Sequence, residues 1–174
     1  ITTGGSEALI FGLMSSMDPG DEIIIPEPFY ANYNSFAHMA GLKIAPVTAV
    51  IEDGFSLPQM QDFEAVITSK TRAILICNPG NPTGKVYAPE AIDALTKLCL
   101  QHDLYLLSDE VYREFCYGDE VAGSVMNLKG LEQNAIMIDS VSKRFSMCGA
   151  RVGAFVTKNS ELRATVMKFA MARL

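Results

Sequence analysis

Histidine and cysteine are scarce: 174 residues hold two histidines, His38 and His102, and four cysteines, at positions 77, 99, 116 and 148. No two cysteines form a CxxC pair, and the histidines lie far apart. The sequence therefore offers neither a zinc site nor a disulfide framework. A reduced, cytoplasmic setting is the expectation. Basic runs are missing too. Fourteen Lys and Arg against twenty Asp and Glu leave a net charge of −6, and the charges are scattered. That excludes the electrostatic footprint of nucleic-acid or anionic-membrane binding. No apolar run approaches the roughly 20 residues of a membrane span, and no basic segment precedes an apolar one at the start. Tryptophan is absent altogether.

What is present is an ordinary globular composition, 49% apolar and 20% charged. The length suits one domain with one sizeable core. The chain opens on Ile1-Thr2-Thr3-Gly4-Gly5, with no initiator Met, and stops inside a helical pattern over Glu161–Leu174. The expectation is a piece of a longer protein.

Short apolar runs alternate with amphipathic stretches. The expected strands are Glu22–Ile25, Lys43–Val47, Ala73–Cys77, Leu104–Ser108, Ala135–Asp139 and Val152–Thr157. They are apolar almost throughout, as strands covered on both faces should be. Pro89–Gln101 reads as a helix with Ile92, Leu95, Leu98 and Cys99 on one face and Pro89 in its first turn. Ser6–Met17, Phe29–Ala40 and Pro58–Thr68 also read as helices. This alternation predicts an α/β fold, a mostly parallel sheet with helices on both faces. In such sheets ligands gather at the carboxyl ends of the strands.

Three strand ends carry unusual chemistry. After Ala73–Cys77 comes Asn78-Pro79-Gly80-Asn81-Pro82-Thr83-Gly84. A turn-rich connection accounts for its Pro and Gly, but less well for two asparagines, of which Asn81 is a candidate amide donor. After Leu104–Ser108 comes Asp109-Glu110-Val111-Tyr112. A carboxylate there is costly unless it caps a helix or meets a cation. After Ala135–Asp139 come Ser140, Ser142 and Lys143, then Gly149-Ala150-Arg151, a loop of hydroxyls and cations between strands. A lysine desolvated there beside another cation becomes a usable amine nucleophile. The competing reading is a solvated surface lysine.

Near the start, Thr3-Gly4-Gly5-Ser6-Glu7-Ala8 puts small residues immediately before a helix. Free N–H groups and the helix dipole make an anion site there, typically for phosphate; the competing reading is a serine helix cap. Taken together, an anion cradle, hydroxyls with an arginine, a nucleophilic lysine, an aspartate and an amide describe one kind of ligand. It has a phosphate, an aldehyde that condenses with lysine, and a basic ring nitrogen. Pyridoxal 5'-phosphate has all three.

These residues also carry a resemblance. Ser140-Val141-Ser142-Lys143-x-x-Ser146-Met147-x-Gly149-x-Arg151-Val152-Gly153, Asn78-Pro79-x-Asn81-Pro82-Thr83-Gly84 and Asp109-Glu110-Val111-Tyr112 resemble the three hallmarks of class I/II aminotransferases, pyridoxal-phosphate enzymes of fold type I. The likeness covers essentially the whole chain, 1–174, as the large cofactor-binding domain. It implies a three-layer α/β/α fold and a homodimer acting on an amino acid and a 2-oxo acid, of aspartate or aromatic type. It also implies roles. Lys143 would hold the cofactor as a Schiff base and shuttle the proton. Asp109 would keep the ring nitrogen protonated. Asn81 and Tyr112 would bind the phenolic oxygen. Ser140, Arg151 and the Gly5-Ser6-Glu7 backbone would bind phosphate, with Ser142 assisting. Tyr30, in Pro28-Phe29-Tyr30, would stack on the ring; core packing is its alternative.

Two departures leave the substrate open. Many aspartate-type enzymes stack a tryptophan on the ring, and the phosphate turn here reads Gly-Ser-Glu rather than Ser-Gly-Thr. Family members are also much longer, and their smaller domain supplies the arginine for the substrate carboxylate. No arginine here can be assigned that role. The alternatives are a fold type I lyase, decarboxylase or cyclopropane-forming synthase, and a non-catalytic aminotransferase-like module of a transcription regulator. A nicotinamide-binding domain ranks last, because no GxGxxG follows a strand.

Overall fold

The computed structural model describes residues 1–173. Leu174, the last residue of the expected C-terminal helical pattern, lies outside the described residues. Six strands, β1 (Glu22–Glu27), β2 (Lys43–Thr48), β3 (Thr71–Cys77), β4 (Tyr105–Asp109), β5 (Ala135–Ser140) and β6 (Gly153–Val156), form one sheet in the order β2-β1-β3-β4-β5-β6. All neighbours are parallel except β6, which runs antiparallel to β5. Among the described residues the α-helices are α1 (Gly4–Ser16), α2 (Asn32–Met39), α3 (Met60–Val66), α4 (Pro89–Gln101), α5 (Val141–Arg144) and α6 (Ser160–Ala172).

Strand side chains alternate between faces, and the core divides accordingly. Ile23, Ile25, Leu75, Leu107, Ile136 and Ile138 pack against Ala8, Leu9 and Leu13 of α1, Tyr33 and Ala37 of α2, and Leu162 of α6. Ile24, Ile74, Ile76, Leu106 and Met137 face the other way, onto Phe63 of α3 and Leu95, Leu98 and Cys99 of α4. This is the three-layer α/β/α arrangement, and every expected strand is present.

Three boundaries differ in ways that matter to the site. Asp109 ends β4 instead of opening a loop: it pairs with Cys77 of β3, and its carbonyl accepts the Asn78 N–H at 3.0 Å. The expected helix Phe29–Ala40 starts only at Asn32, so Phe29 and Tyr30 lie in the turn leading into it. The stretch after β5, expected as a loop, winds into the single turn of α5, with the Ser140 side chain accepting the Ser142 N–H at 3.1 Å.

Chain entry is fastened to β6. Thr2 and Gly153 exchange backbone hydrogen bonds at 2.9 and 3.0 Å. Gly153 packs directly on the Gly4 backbone, and Gly4 has φ +79° with the Arg151 guanidinium where a Cβ would stand. Only glycine meets both demands at Gly4. The start of α1 is thereby brought beside Arg151.

Candidate active site

The strand order reverses at β1: β2 lies on one side of it and β3 on the other. Ligands in open α/β sheets bind at the carboxyl ends beside such a reversal. A cavity of about 210 Å³ opens there. Its walls come from the turn after β1 and α2 (Tyr30, Tyr33), the end and loop of β3 (Cys77, Asn81), the end of β4 and the turn after it (Asp109, Tyr112), and the end of β5 with α5 (Ser140, Ser142, Lys143). The N-terminus of α1 (Gly5, Ser6) and Arg151 complete it.

Of the eleven residues singled out from the sequence, ten line this cavity and Glu7 does not. The Glu7 carboxylate turns back to accept the Thr3 N–H at 2.6 Å and to pair with Arg173. That leaves the N–H groups of Gly5 and Ser6 as the free donors of the first turn of α1. Ser6 is not the cap residue; Thr3 holds that position, without a side-chain cap bond.

One end of the cavity is suited to an anion. The Gly5 and Ser6 N–H groups lie there with the dipole of α1. Across from them, the Ser140 hydroxyl contacts Ser142 Oγ at 2.9 Å and the Val152 carbonyl at 3.1 Å. Arg151 donates to the carbonyls of Cys148 (3.0 Å) and Thr3 (3.3 Å). These carbonyl bonds tie its guanidinium to the same rim, although the residue is exposed.

Asp109 lies at the floor. Tyr33 donates its hydroxyl to Asp109 Oδ2 at 2.8 Å, and the Val111 N–H reaches Oδ1 at 3.3 Å. Burial pushes the Asp109 carboxyl above its usual range; Asp139 adds to this, while the two hydrogen bonds and Lys143 oppose it. Tyr33 is 2% exposed. Burial first, then the charge of Asp109, drives its hydroxyl far above the ordinary tyrosine range, so it stays a donor. The Cys77 thiol beside them is pushed up to about 12, chiefly by burial. Sequence reasoning missed Tyr33. The available signal was an aromatic one helical turn beyond Tyr30.

The third wall carries Asn81, Tyr112 and Lys143. Asn81 Nδ2 approaches the Tyr112 hydroxyl at 3.4 Å, and Lys143 Nζ stands 5.7 Å from the centre of the Tyr112 ring. The other asparagine of that loop is structural: Asn78 is buried, and its Oδ1 accepts the Tyr87 N–H at 3.0 Å. The expected desolvation of Lys143 beside a second cation is not found. Lys143 is exposed at the cavity mouth. Successive residues of a helical turn point about 100° apart, so Arg144 faces away, hydrogen-bonding Asp139 at 3.2 Å and lying as an ion pair 3.5 Å from Glu114. Tyr30 is 38% exposed, which removes core packing as its role; its ring meets Tyr33 edge-on at 5.5 Å.

Comparison with known proteins decides the family. The sequence model of aminotransferase class I and II matches residues 1–173. The chain belongs to that family. It is 38% identical over 97% of its length to a putative aminotransferase, YugH, of Bacillus subtilis, covering 43% of that protein. It is 34% identical over 88% of its length to an aspartate/prephenate aminotransferase of Thermus thermophilus, covering 39% of it. The crystal structure of an aromatic aminotransferase from Pyrococcus horikoshii superposes with a TM-score of 0.92 at 33% identity, over 98% of this chain and 45% of that one. The chain thus spans less than half the length of these relatives. Among the described residues of this family member, no group of three His, Cys, Asp or Glu could hold a metal ion, and no helix is long and apolar enough to cross a membrane.

Proposed function

We propose that this chain is the cofactor-binding large domain of a pyridoxal-phosphate-dependent aminotransferase that moves an amino group between an L-amino acid and a 2-oxo acid. The observation that carries the reading is one cavity holding three separate demands: an anion cradle, a floor carboxylate and a lysine amine. Names of relatives, aspartate/prephenate and aromatic aminotransferase among them, favour an aspartate-type or aromatic donor.

The residues fit the cofactor by their chemistry. Free N–H groups on Gly5 and Ser6, the Ser140 and Ser142 hydroxyls and Arg151 match a phosphate; Asp109 matches a basic ring nitrogen; Asn81 and Tyr112 match a phenolic oxygen. Bound there, pyridoxal phosphate supplies an aldehyde for the amino group and a ring that accepts the electron pair released at the substrate Cα. Asp109 would hold a proton on the ring nitrogen. Lys143 Nζ, at the cavity mouth, would serve as the base that takes and returns the proton of the substrate Cα. Tyr30, on the cavity wall, would cover one face of the ring. Glu7 contributes by fastening Thr3 at the start of α1.

Because the chain covers under half of its relatives, the arginine for the substrate carboxylate is assigned to a smaller domain outside residues 1–174. The working form is assigned as a cytoplasmic homodimer. The test uses the full-length protein carrying this chain. Treatment with pyridoxal phosphate and borohydride should leave a covalent adduct on Lys143, and Lys143→Ala should show neither adduct nor transamination. An adduct mapping to another lysine ends this reading.

A further inference from the structure

The Tyr33–Asp109 pair joins α2 to the end of β4 across 76 residues of sequence, at 2.8 Å. We propose that Tyr33 is a positioning residue for this site: its hydroxyl holds Asp109 in the ionised form, so that a proton shared with a ring nitrogen rests on the ring and not on the carboxylate. The inference rests on the cofactor reading above and goes beyond it.

A carboxylate and a pyridine-type nitrogen compete for one proton. Whichever is the stronger base in its surroundings keeps it. Burial strengthens Asp109 as a base, because a desolvated carboxylate is an unfavourable anion. Left to burial alone, Asp109 would hold the proton itself, and the ring would lose the positive charge that draws electrons from Cα. Hydrogen bonds donated to the carboxylate act in the opposite sense.

The groups facing Asp109 come from every element packed against it. Asp139 of β5 raises its basicity. Lys143 of α5 lowers it but is exposed at the cavity mouth, where water screens it. The Val111 N–H bond is long, at 3.3 Å. Cys77 of β3 is a neutral thiol whose sulfur approaches the Pro79 carbonyl at 3.2 Å. Tyr33 is the short, fully buried donor of this set. Its own proton is held so firmly that donation runs one way.

Position follows from packing. The ring of Tyr33 is fixed edge-on to Tyr30 at 5.5 Å and stacked near Phe29 at 6.2 Å. It belongs to the buried cluster that contains Leu75 and Cys77. The hydroxyl therefore meets Asp109 without an entropic search, and the carboxylate plane is set before any ligand arrives.

Tyr33→Phe removes one oxygen and leaves the ring packing. In the cofactor-free, full-length protein, the Asp109 carboxyl titration followed by 13C NMR should move up by about one to two pH units in this variant, the worth of one hydrogen bond to a charged group. Site-specific 3-fluorotyrosine at position 33, a stronger donor of nearly the same size, should move it down. In the loaded enzyme, kcat should fall in Tyr33→Phe with KM unchanged, and the share of the proton resting on the ring nitrogen, read by 15N NMR, should fall. Asp109 titrating at one pH in all three proteins overturns the proposal, as does a lower melting temperature with unaltered titration. If Tyr33→Phe does not fold, the fluorotyrosine shift alone decides. Failure of the cofactor reading is separate: wild-type protein would give no Lys143 adduct, whatever the titration of Asp109.

Discussion

Asp109 and Glu110 are neighbours in sequence, both carboxylates withdrawn from water, yet they end in opposite surroundings. Successive side chains at a strand end point to opposite faces of the sheet. Asp109 faces the cavity, with Tyr33 and the Val111 N–H as its donors. Glu110, fully buried, faces the other layer. It accepts the Val125 N–H at 2.9 Å and the Ser124 hydroxyl at 3.1 Å, and pairs with Arg113 at 3.2 Å. Arg113 in turn bonds Asp139 at 3.2 Å, which also holds Arg144. Burial raises the affinity of both carboxyls for protons. The difference is that Glu110 is closed off by protein donors and a full counter-charge, whereas Asp109 keeps one side open to the cavity. A buried charge with its partners complete is a fastening. One left incomplete in a cavity is set to receive a ligand.

The largest break of this contrast is expected from Glu110→Ala. It strands the Val125 N–H and half of the Arg113 pairing in a buried place, at a cost of about 3–5 kcal/mol. Denaturant unfolding of the full-length protein measures it. A loss below about 1 kcal/mol, the scale of an exposed pair, would mean that the network is ornamental to stability.

Arg151→Ala acts on the open side and should leave unfolding nearly unchanged, because its protein partners are two carbonyls at an exposed rim. Cofactor affinity should fall by about 1.5–3 kcal/mol, the range of a hydrogen bond to a charged group. Absorbance titration with pyridoxal phosphate reads this directly. Unchanged affinity would move the phosphate away from Arg151.

Asp109→Asn is expected to act on stability with the opposite sign to Glu110→Ala. The carboxyl pKa is raised on folding, so the folded chain holds this proton more tightly than the unfolded one. Stability at this site is full below the ordinary carboxyl pKa and is lost as pH rises through the folded value. Above the folded value the penalty is fully present, at about 1.4 kcal/mol for each unit of the rise. The cofactor-free Asn variant should therefore melt higher than the parent at pH 7, and the gap should close toward about pH 4. A variant that melts lower at pH 7 would make Asp109 a structural carboxylate like Glu110.

The sheet was legible because each strand is a short apolar run bounded by turn residues, and periodicity survives without tertiary information. Lys143, Asp109, Asn81, Tyr112, Ser140 and Arg151 were legible for another reason: each is fixed to a strand end by its immediate neighbours. Tyr33 was not, since its partner lies 76 residues away and its own segment reads as one face of an amphipathic helix. The direction taken by Glu7 was equally hidden, because Thr3 and Arg173 meet it only after the two ends of the chain pack together.

By itself, then, the sequence determined the layer order, the strand ends and the chemical identity of the groups placed there, since these depend on local pattern. The tertiary structure decided which carboxylate is sealed and which faces the cavity, that Lys143 stands open at its mouth, and which phenol sets the charge of Asp109. Those outcomes depend on what distant segments bring within 3–4 Å, where desolvation and hydrogen bonding act, and no local pattern encodes that distance.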